Sequence, residues 1–307
     1  MCHDSSLFET SYRTTELTLL KLLGSRFVLS EETNNYYLSK LKGYEGECYL
    51  DSLLATLTSN SLILCDVLFE QNNTTFQIDT LLLAQKTIYL FEVKNLEGDY
   101  YIKNGDWFRK STGKAITNPV HQLKRCETLL RSLLHSRNIK MEIEPYLVFT
   151  NPLFTLYHAP LDLCAYFPGQ LNSLLKKLTQ APFDLNGSHQ QLGQFLLSRH
   201  VYDSPYGRLP EYRYDDLQKG VTCRKCMSLN VTVTRYTTIC NACGHTEQNT
   251  SSILHAAKDL KLLFPDRLLN VHALDHWCDH LYHRKVIQQV LRTNYNLIKK
   301  GKYSYYL

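Results

Sequence analysis

Hydrophobic and polar positions follow two rhythms along this chain, and the changes between them predict where strands and helices lie. Residues 75–84 and 87–94 are nearly unbroken apolar runs with alternating faces, joined by a short Gln85-Lys86 turn, and read as two strands. Runs near 61–70 and 99–103 extend them into an antiparallel series, with Trp107 packing at its edge. A helical period takes over upstream. Residues 12–42 carry Leu17, Leu19, Leu20, Leu22 and Leu23 ahead of Gly24, then a second start signal at Ser30-Glu31-Glu32. They read as a helical brace on the outside of the sheet. In 44–57 the period puts Glu47, Leu50, Leu54 and Leu57 on one stripe. Asn118 suits an N-cap and Pro119 a first helical residue, so 119–136 reads as a helix with Gln122, Cys126, Leu129 and Leu133 in line. Tyr146 to Thr150 and 161–167 read as returning strands, and 168–179 and 187–200 as closing helices. Strand, helix, strand in this order predicts a mixed α/β sheet flanked by helices.

Polar residues placed against this pattern carry the chemistry. Side chains two apart on a strand share a face, so Glu92 and Lys94 stand with Ile88 and Leu90, and Asp79 with Gln77, Leu81 and Leu83. Charges on core-like strands are costly to bury unless they are paired or bound to a cation. An isolated Glu-x-Lys also fits an exposed strand end. Glu47 and Gln122, however, head the inward stripes of two helices, and Asn95 precedes Gly98 where the second strand must turn. Two carboxylates on neighbouring strands can hold a hard divalent cation such as Mg²⁺ or Mn²⁺ that keeps several waters. Such a metal lowers the pKa of a bound water, and a lysine beside it stabilises charge developing on a phosphate. The set suits phosphodiester hydrolysis.

Glu47, Asp79, Glu92-Val93-Lys94 and Gln122, in that order, resemble the split signature of the PD-(D/E)xK nuclease superfamily. The fuller spelling, Gly43 with Gly46-Glu47, Gln77-Ile78-Asp79, Phe91 to Asn95, Gly98, Trp107 and Asn118-Pro119 with Gln122, resembles its nuclease-related domain, NERD, over about residues 40 to 152. One departure is Ile78, where the superfamily's name has proline. The resemblance implies a restriction-endonuclease-like fold, Asp79 and Glu92 as metal ligands, Lys94 as the catalytic lysine, and Glu47 and Gln122 as supporting acid and amide.

The last third changes character. Residues 201–220 hold two prolines and two glycines without a sustained period and read as a linker. Cys223-Arg-Lys-Cys226 and Cys240-Asn-Ala-Cys243 then flank a β-like segment. Paired C-x₂-C motifs read as a zinc ribbon with a closed, structural Cys₄ site; a redox pair or free thiols are the alternatives. Helices over 253–263, 271–280 and 283–293 and a strand at 303–307 follow, with a helix-turn-helix at 279–282 and a wing tipped by Lys300-Gly301-Lys302.

Composition adds placement more than class. The 307 residues are 44% hydrophobic and 21% charged, ordinary for a globular chain. No apolar run reaches the length of a membrane span and no secretory signal heads the sequence, so the expected location is cytoplasmic. The net charge of +5 is matched by residues 251–307 alone, which hold nine Lys or Arg against four Asp. A basic tail points to nucleic acid, although a solvated helix face has the same look. The candidate contacts are Lys124 and Arg125 on the 119–136 helix, and Arg284, Lys285, Gln288, Arg292, Lys300 and Lys302 in the tail. The expected organisation is a brace at 1–39, a nuclease-related domain at 40–200, a linker at 201–220, a ribbon at 221–248 and a basic tail at 249–307. The expected activity is Mg²⁺-dependent cleavage of DNA, with RNA as a possible substrate. The competing reading is a catalytically silent nucleic-acid-binding or scaffold protein that keeps the fold.

Overall fold

The structure, a computed structural model, describes residues 6–9, 12–57, 61–183, 185–201, 207–301 and 304–307. Its elements run β1 (Ser6–Glu9), α1 (Tyr12–Gly24), α2 (Glu31–Leu54), β2 (Leu62–Gln71), β3 (Thr74–Leu83), β4 (Thr87–Lys94), β5 (Gly98–Lys103), β6 (Asp106–Arg109), β7 (Ala115–Ile116) and α3 (Pro119–His135). They continue through β8 (Glu142–Phe149), β9 (Phe154–Tyr157), β10 (Ala165–Tyr166), α4 (Leu171–Thr179) and α5 (Gly187–Ser198). Then come β11 (Val231–Val233), β12 (Thr237–Cys240), β13 (Thr246–Gln248), α6 (Asn249–Leu263), α7 (Val271–Trp277), α8 (Arg284–Asn294), β14 (Leu297–Ile298) and β15 (Tyr305–Tyr306). The chain divides into two compact units, residues 1–13 with 38–206 and residues 14–37 with 207–307. Among the described residues no helix is long and apolar enough to cross a membrane.

The first unit is built on a six-stranded mixed sheet, ordered β1-β2-β3-β4-β8-β10. Strands β2, β3 and β4 are antiparallel, whereas β8 runs parallel to β4 and β10 parallel to β8. Strand alternation gives the sheet two apolar faces. Leu81, Leu83, Ile88 and Leu90 pack against Leu123, Cys126 and Leu130 of α3, while Leu82, Tyr89, Phe91 and Val93 meet Leu50 and Leu54 of α2 and Leu174 of α4. Helices therefore cover both faces.

Strand β5 departs from the expected antiparallel series. Gly98, at φ +93°, takes a backbone conformation that side-chain-bearing residues rarely adopt. The chain leaves the main sheet there and forms a second one, ordered β7-β6-β5-β9. Trp107 is fully buried in β6 and stacks on Phe149 of the main sheet.

The second unit has its own core, and it redraws three expected boundaries. Leu22 and Leu23 of α1 are buried with Leu217, Val221, Leu260 and Trp277, so α1 braces this core instead of the outside of the sheet. The supposed linker contributes Tyr212, Tyr214 and Leu217 to the same core, with Tyr214 against Phe264 and Trp277. Prolines and glycines marked the absence of a sustained period there, and the described residues of the stretch hold only a 3-10 turn at Tyr214–Asp216, but it packs all the same. The four-cysteine ribbon and the helices are likewise continuous: Thr238 of β12 bonds to Asn249 of α6 and to Tyr282, and Thr222 bonds to Asp259. The helix starts expected at Ser30 and residue 44 merge into one continuous α2, which runs through Gly43 and Gly46 despite their low helix propensity.

Candidate active site and metal centre

A break in the sheet makes the site. The β3–β4 ladder pairs Leu83 with Ile88 through Thr80 with Phe91 and stops. One step further it would set Asp79 opposite Glu92. The strands splay instead, and Asp79 Oδ2 accepts the Val93 amide at 2.8 Å. On the other side of Asp79 the β2–β3 pairs skip from Cys65–Thr80 to Val67–Ile78. The skipped residue, Asp66, is left-handed at φ 52° and accepts a 2.5 Å bond from Gln77 Nε2. Nothing in the alternation of residues along these strands signals this interruption.

The splay brings the expected residues to one cleft of about 740 Å³, lined by Glu47, Asp79, Glu92, Lys94 and Gln122. Glu92 is almost fully buried, and its Oε1 accepts a 2.5 Å charged hydrogen bond from Lys94 Nζ. That ammonium also donates to Gln122 Oε1 at 3.1 Å and has a third hydrogen to offer. Gln122 is not part of the buried stripe of α3, which is Leu123, Cys126, Leu130, Leu133 and Leu134. It sits beside that stripe, so its amide reaches the cleft. The Asn118 side chain caps α3 by accepting the Val120 amide at 2.9 Å, which anchors the turn that carries Gln122.

Glu47 arrives from the other face of the sheet. Its helix can close on the sheet end only because residue 46 is glycine: a Cβ there would lie 2.7 Å from Asn95 Cβ and 2.8 Å from Thr150 Oγ1. Asn95 completes the joint by donating from Nδ2 to the Lys42 carbonyl at 2.7 Å. Its role is to hold α2 against the end of β4. The Cys126 thiol lies below the site and bonds to the Gln77 carbonyl. Burial, then the negative fields of Glu92 and Asp79, push its pKa up to about 12, so it carries no thiolate. Gln77, already placed on the Asp79 face, also lines the cleft, as do Lys42 and Arg109, which were not singled out in the sequence. Neither cation interrupts an apolar pattern, so nothing local marks it.

The four cysteines form the second centre. Each C-x₂-C closes a matched knuckle: Met227 and Gly244 donate to the carbonyls of Cys223 and Cys240, at φ 61° and 71°. The thiols of Cys226 and Cys240 lie 3.5 Å apart and those of Cys223 and Cys243 3.7 Å apart. A tetrahedral ion with bonds of about 2.3 Å spaces its sulfurs by about 3.8 Å, so the donor set fits Zn²⁺ without rearrangement. Among the described residues this is the one group of three or more His, Cys, Asp or Glu side chains with ligand atoms all within 4.8 Å. Glu47, Asp79 and Glu92 therefore make no closed cage, which suits a cation that keeps several waters. A wider hollow of about 1110 Å³ beside Cys226 is lined by a single carboxylate, Glu31, and lacks an acid pair.

The expected nucleic-acid contacts divide. Lys124 is exposed, but Arg125 is tied to the Thr75 carbonyl at 2.9 Å. In the tail, α7, a turn through Asp279 and His280 at positive φ, α8 and the β14–β15 hairpin make the expected helix-turn-helix and wing. Lys285, Arg292 and Lys300 are exposed, whereas Gln288 is half-buried. Arg284 Nε is held by Asp275 at 2.9 Å. Lys302 lies outside the described residues.

Comparison with known families matches one part of the chain. Residues 42–150 match the family model of the nuclease-related domain, NERD. No curated protein and no solved structure matches the chain. The matched span runs from the middle of α2 to the residue after β8, and it contains every residue of the cleft named above. Residues 42–150 thus match a nuclease-related domain and lie in the mixed α/β unit, while the four cysteines belong to the unit of residues 14–37 and 207–307.

Proposed function

We propose that the protein is a metal-dependent nuclease that hydrolyses phosphodiester bonds of DNA. The observation that carries this reading is the convergence of Glu47, Asp79, Glu92, Lys94 and Gln122 from four separate elements on one cleft. Asp79 and Glu92 would hold Mg²⁺ or Mn²⁺, and the bound cation would supply a Lewis acid and an acidified water. The chain's own part is to hold the Lys94 side chain between Glu92 and Gln122, where Nζ can donate to a phosphate oxygen as charge develops on it. Glu47 adds a third carboxylate at the cleft wall. Zn²⁺ at Cys223, Cys226, Cys240 and Cys243 is structural in this reading, because four thiolates leave no open position for substrate.

The exposed cations Lys285, Arg292 and Lys300 on α8 and the wing would bind phosphates without reading bases. A helix of this kind fits the major groove of B-form DNA better than the deep, narrow groove of an RNA helix, which favours DNA. The test is incubation of purified protein with single-stranded and duplex DNA and with RNA, with and without Mg²⁺ or Mn²⁺. Asp79→Ala, Glu92→Ala and Lys94→Ala should each abolish metal-dependent cleavage while leaving the melting transition in place. Wild-type rates in any of the three would remove that residue from the mechanism. A wild-type protein that binds but never cleaves would make it a silent nucleic-acid-binding protein.

A further inference from the structure

The mouth of the cleft carries charge that the catalytic set does not use. Lys42, from α2, and Arg109, from the end of β6, both line it, and neither belongs to the acid–lysine cluster below. Between β4 and β5 the chain passes through Glu97, which lines the same mouth. Its Oε2 pairs with Lys42 Nζ at 2.5 Å, with both groups well exposed. The Lys42 bond, and more weakly the field of Arg109, hold the Glu97 carboxyl below the usual range. Arg109 is placed by the small sheet. Its strand partner is Tyr100, and the guanidinium rests over that ring at 5.0 Å from the centroid. The Tyr100 ring is fully buried, and its hydroxyl has no hydrogen-bond partner. No ion pair among the described residues involves Arg109.

A carboxylate paired with one cation and within the field of a second, at the entrance to a site suited to phosphodiesters, occupies ground that a backbone phosphate would take. We propose that Lys42 and Arg109 form a phosphate clamp flanking the scissile position, and that Glu97 is its internal competitor, displaced when a nucleic-acid strand enters. The proposal rests on the nuclease reading. It adds to that reading a substrate-binding pair from outside the acid–lysine cluster, with a built-in brake on non-productive anions. The physical balance is simple. The Lys42–Glu97 pair is exposed and weak, so a phosphate diester bearing a full charge can replace the carboxylate at small cost. Removing the carboxylate charge removes both that cost and the repulsion between Glu97 and the incoming strand.

The clamp and its internal competitor therefore predict opposite signs. Arg109→Gln should weaken binding severalfold and flatten the salt dependence by about one phosphate contact. Glu97→Gln should tighten binding by about two- to fivefold, the range expected for release of an exposed ion pair. Binding of labelled 30-nucleotide single-stranded and duplex DNA is measured at several salt concentrations, with every variant made in an Asp79→Ala background to prevent turnover. The same substitutions in the active protein should move KM in the corresponding directions and leave kcat nearly unchanged. Both residues are exposed, and melting temperatures verify folding. Failure of the Asp79→Ala protein to bind either DNA would defeat the nuclease reading itself. Binding that Glu97→Gln weakens or leaves unchanged would overturn the clamp alone, as would an Arg109→Gln protein with unaltered affinity and slope.

Discussion

Two glycines three residues apart in α2 should respond to the same substitution with opposite signs. Replacing glycine by alanine inside a helix stabilises by about 0.5–1 kcal/mol, because the unfolded chain loses freedom and the helix gains a good former. At Gly43 nothing lies within 4 Å of the new methyl group, so Gly43→Ala should realise that gain. At Gly46 the methyl would sit 2.7 Å from Asn95 Cβ and 2.8 Å from Thr150 Oγ1. Carbon atoms in contact prefer about 3.5–4.0 Å. Asn95 Cβ is fixed to the backbone and Thr150 is buried at the sheet end, so α2 must withdraw. Overpacking of this kind costs about 1–3 kcal/mol, and the two variants should differ in stability by about that amount. At about 2–4 °C per kcal/mol, thermal unfolding followed by circular dichroism should place Gly46→Ala roughly 2–12 °C below Gly43→Ala. Withdrawal of α2 also carries Glu47 out of the cleft, and a shift of about 1 Å can cost about a hundredfold in rate. Equal stabilisation by both substitutions would refute the close approach on which the position of Glu47 depends.

Two further outcomes concern the second unit. Metal analysis should find about one Zn²⁺ per chain, and Cys240→Ser should release it. Structural zinc is worth about 10–16 kcal/mol in small zinc domains, comparable to the whole stability of a typical domain. Since the ribbon bonds into α6 and Tyr282, the loss should unfold the helices as well, while Asp79-dependent cleavage persists at high protein concentration. Zinc-free protein with an unchanged second transition would contradict this. Asp275 supplies a pH dependence. Burial works to raise its pKa, but bonds from Arg284 and His280 outweigh it and hold the carboxyl below the usual range. A group with a lowered folded pKa contributes stability that is full above its unfolded pKa and lost as pH falls through the folded one. The second unit should therefore lose stability below about pH 4 by a component that Asp275→Asn lacks. Parallel acid-unfolding curves for the two proteins would show that the pair contributes nothing.

What the sequence made legible follows the range of the interactions involved. Periodicity is a local property, and β3, β4, α3 and the three tail helices lie close to where it predicts them. The cysteine pairs were equally legible, since the spacing itself encodes the knuckle. Three features were not, and each is nonlocal. Whether residues 12–24 brace one core or another depends on partners some two hundred residues away, Leu217 and Trp277 among them. The partial burial of Tyr212 and Tyr214, in a stretch whose one regular piece among the described residues is a single 3-10 turn at Tyr214–Asp216, is invisible to any period. Gly43, just ahead of the helix expected at 44, read as a boundary although α2 runs through it, and the approach of Asn95 and Thr150 that calls for glycine at 46 has no local signal.

The site itself shows why its acids were readable and its geometry was not. Asp79 and Glu92 stood out because they break an apolar pattern, and residues that break local rules tend to mark function. Their usefulness depends on something the pattern hides, the failure of the ladder beyond Thr80 and Phe91. Had the strands stayed paired, the Val93 amide would have been spent on a backbone carbonyl and the two carboxylates pressed into a flat, regular sheet. Because they splay, Asp79 takes that amide, Lys94 reaches both Glu92 and Gln122, and space opens between the strands. The left-handed Asp66 and its bond from Gln77 brace the opposite side of the same interruption. Sheet pairing is sacrificed at one point on two adjacent ladders, and the side chains of Asp79 and Gln77 make bonds where it is lost.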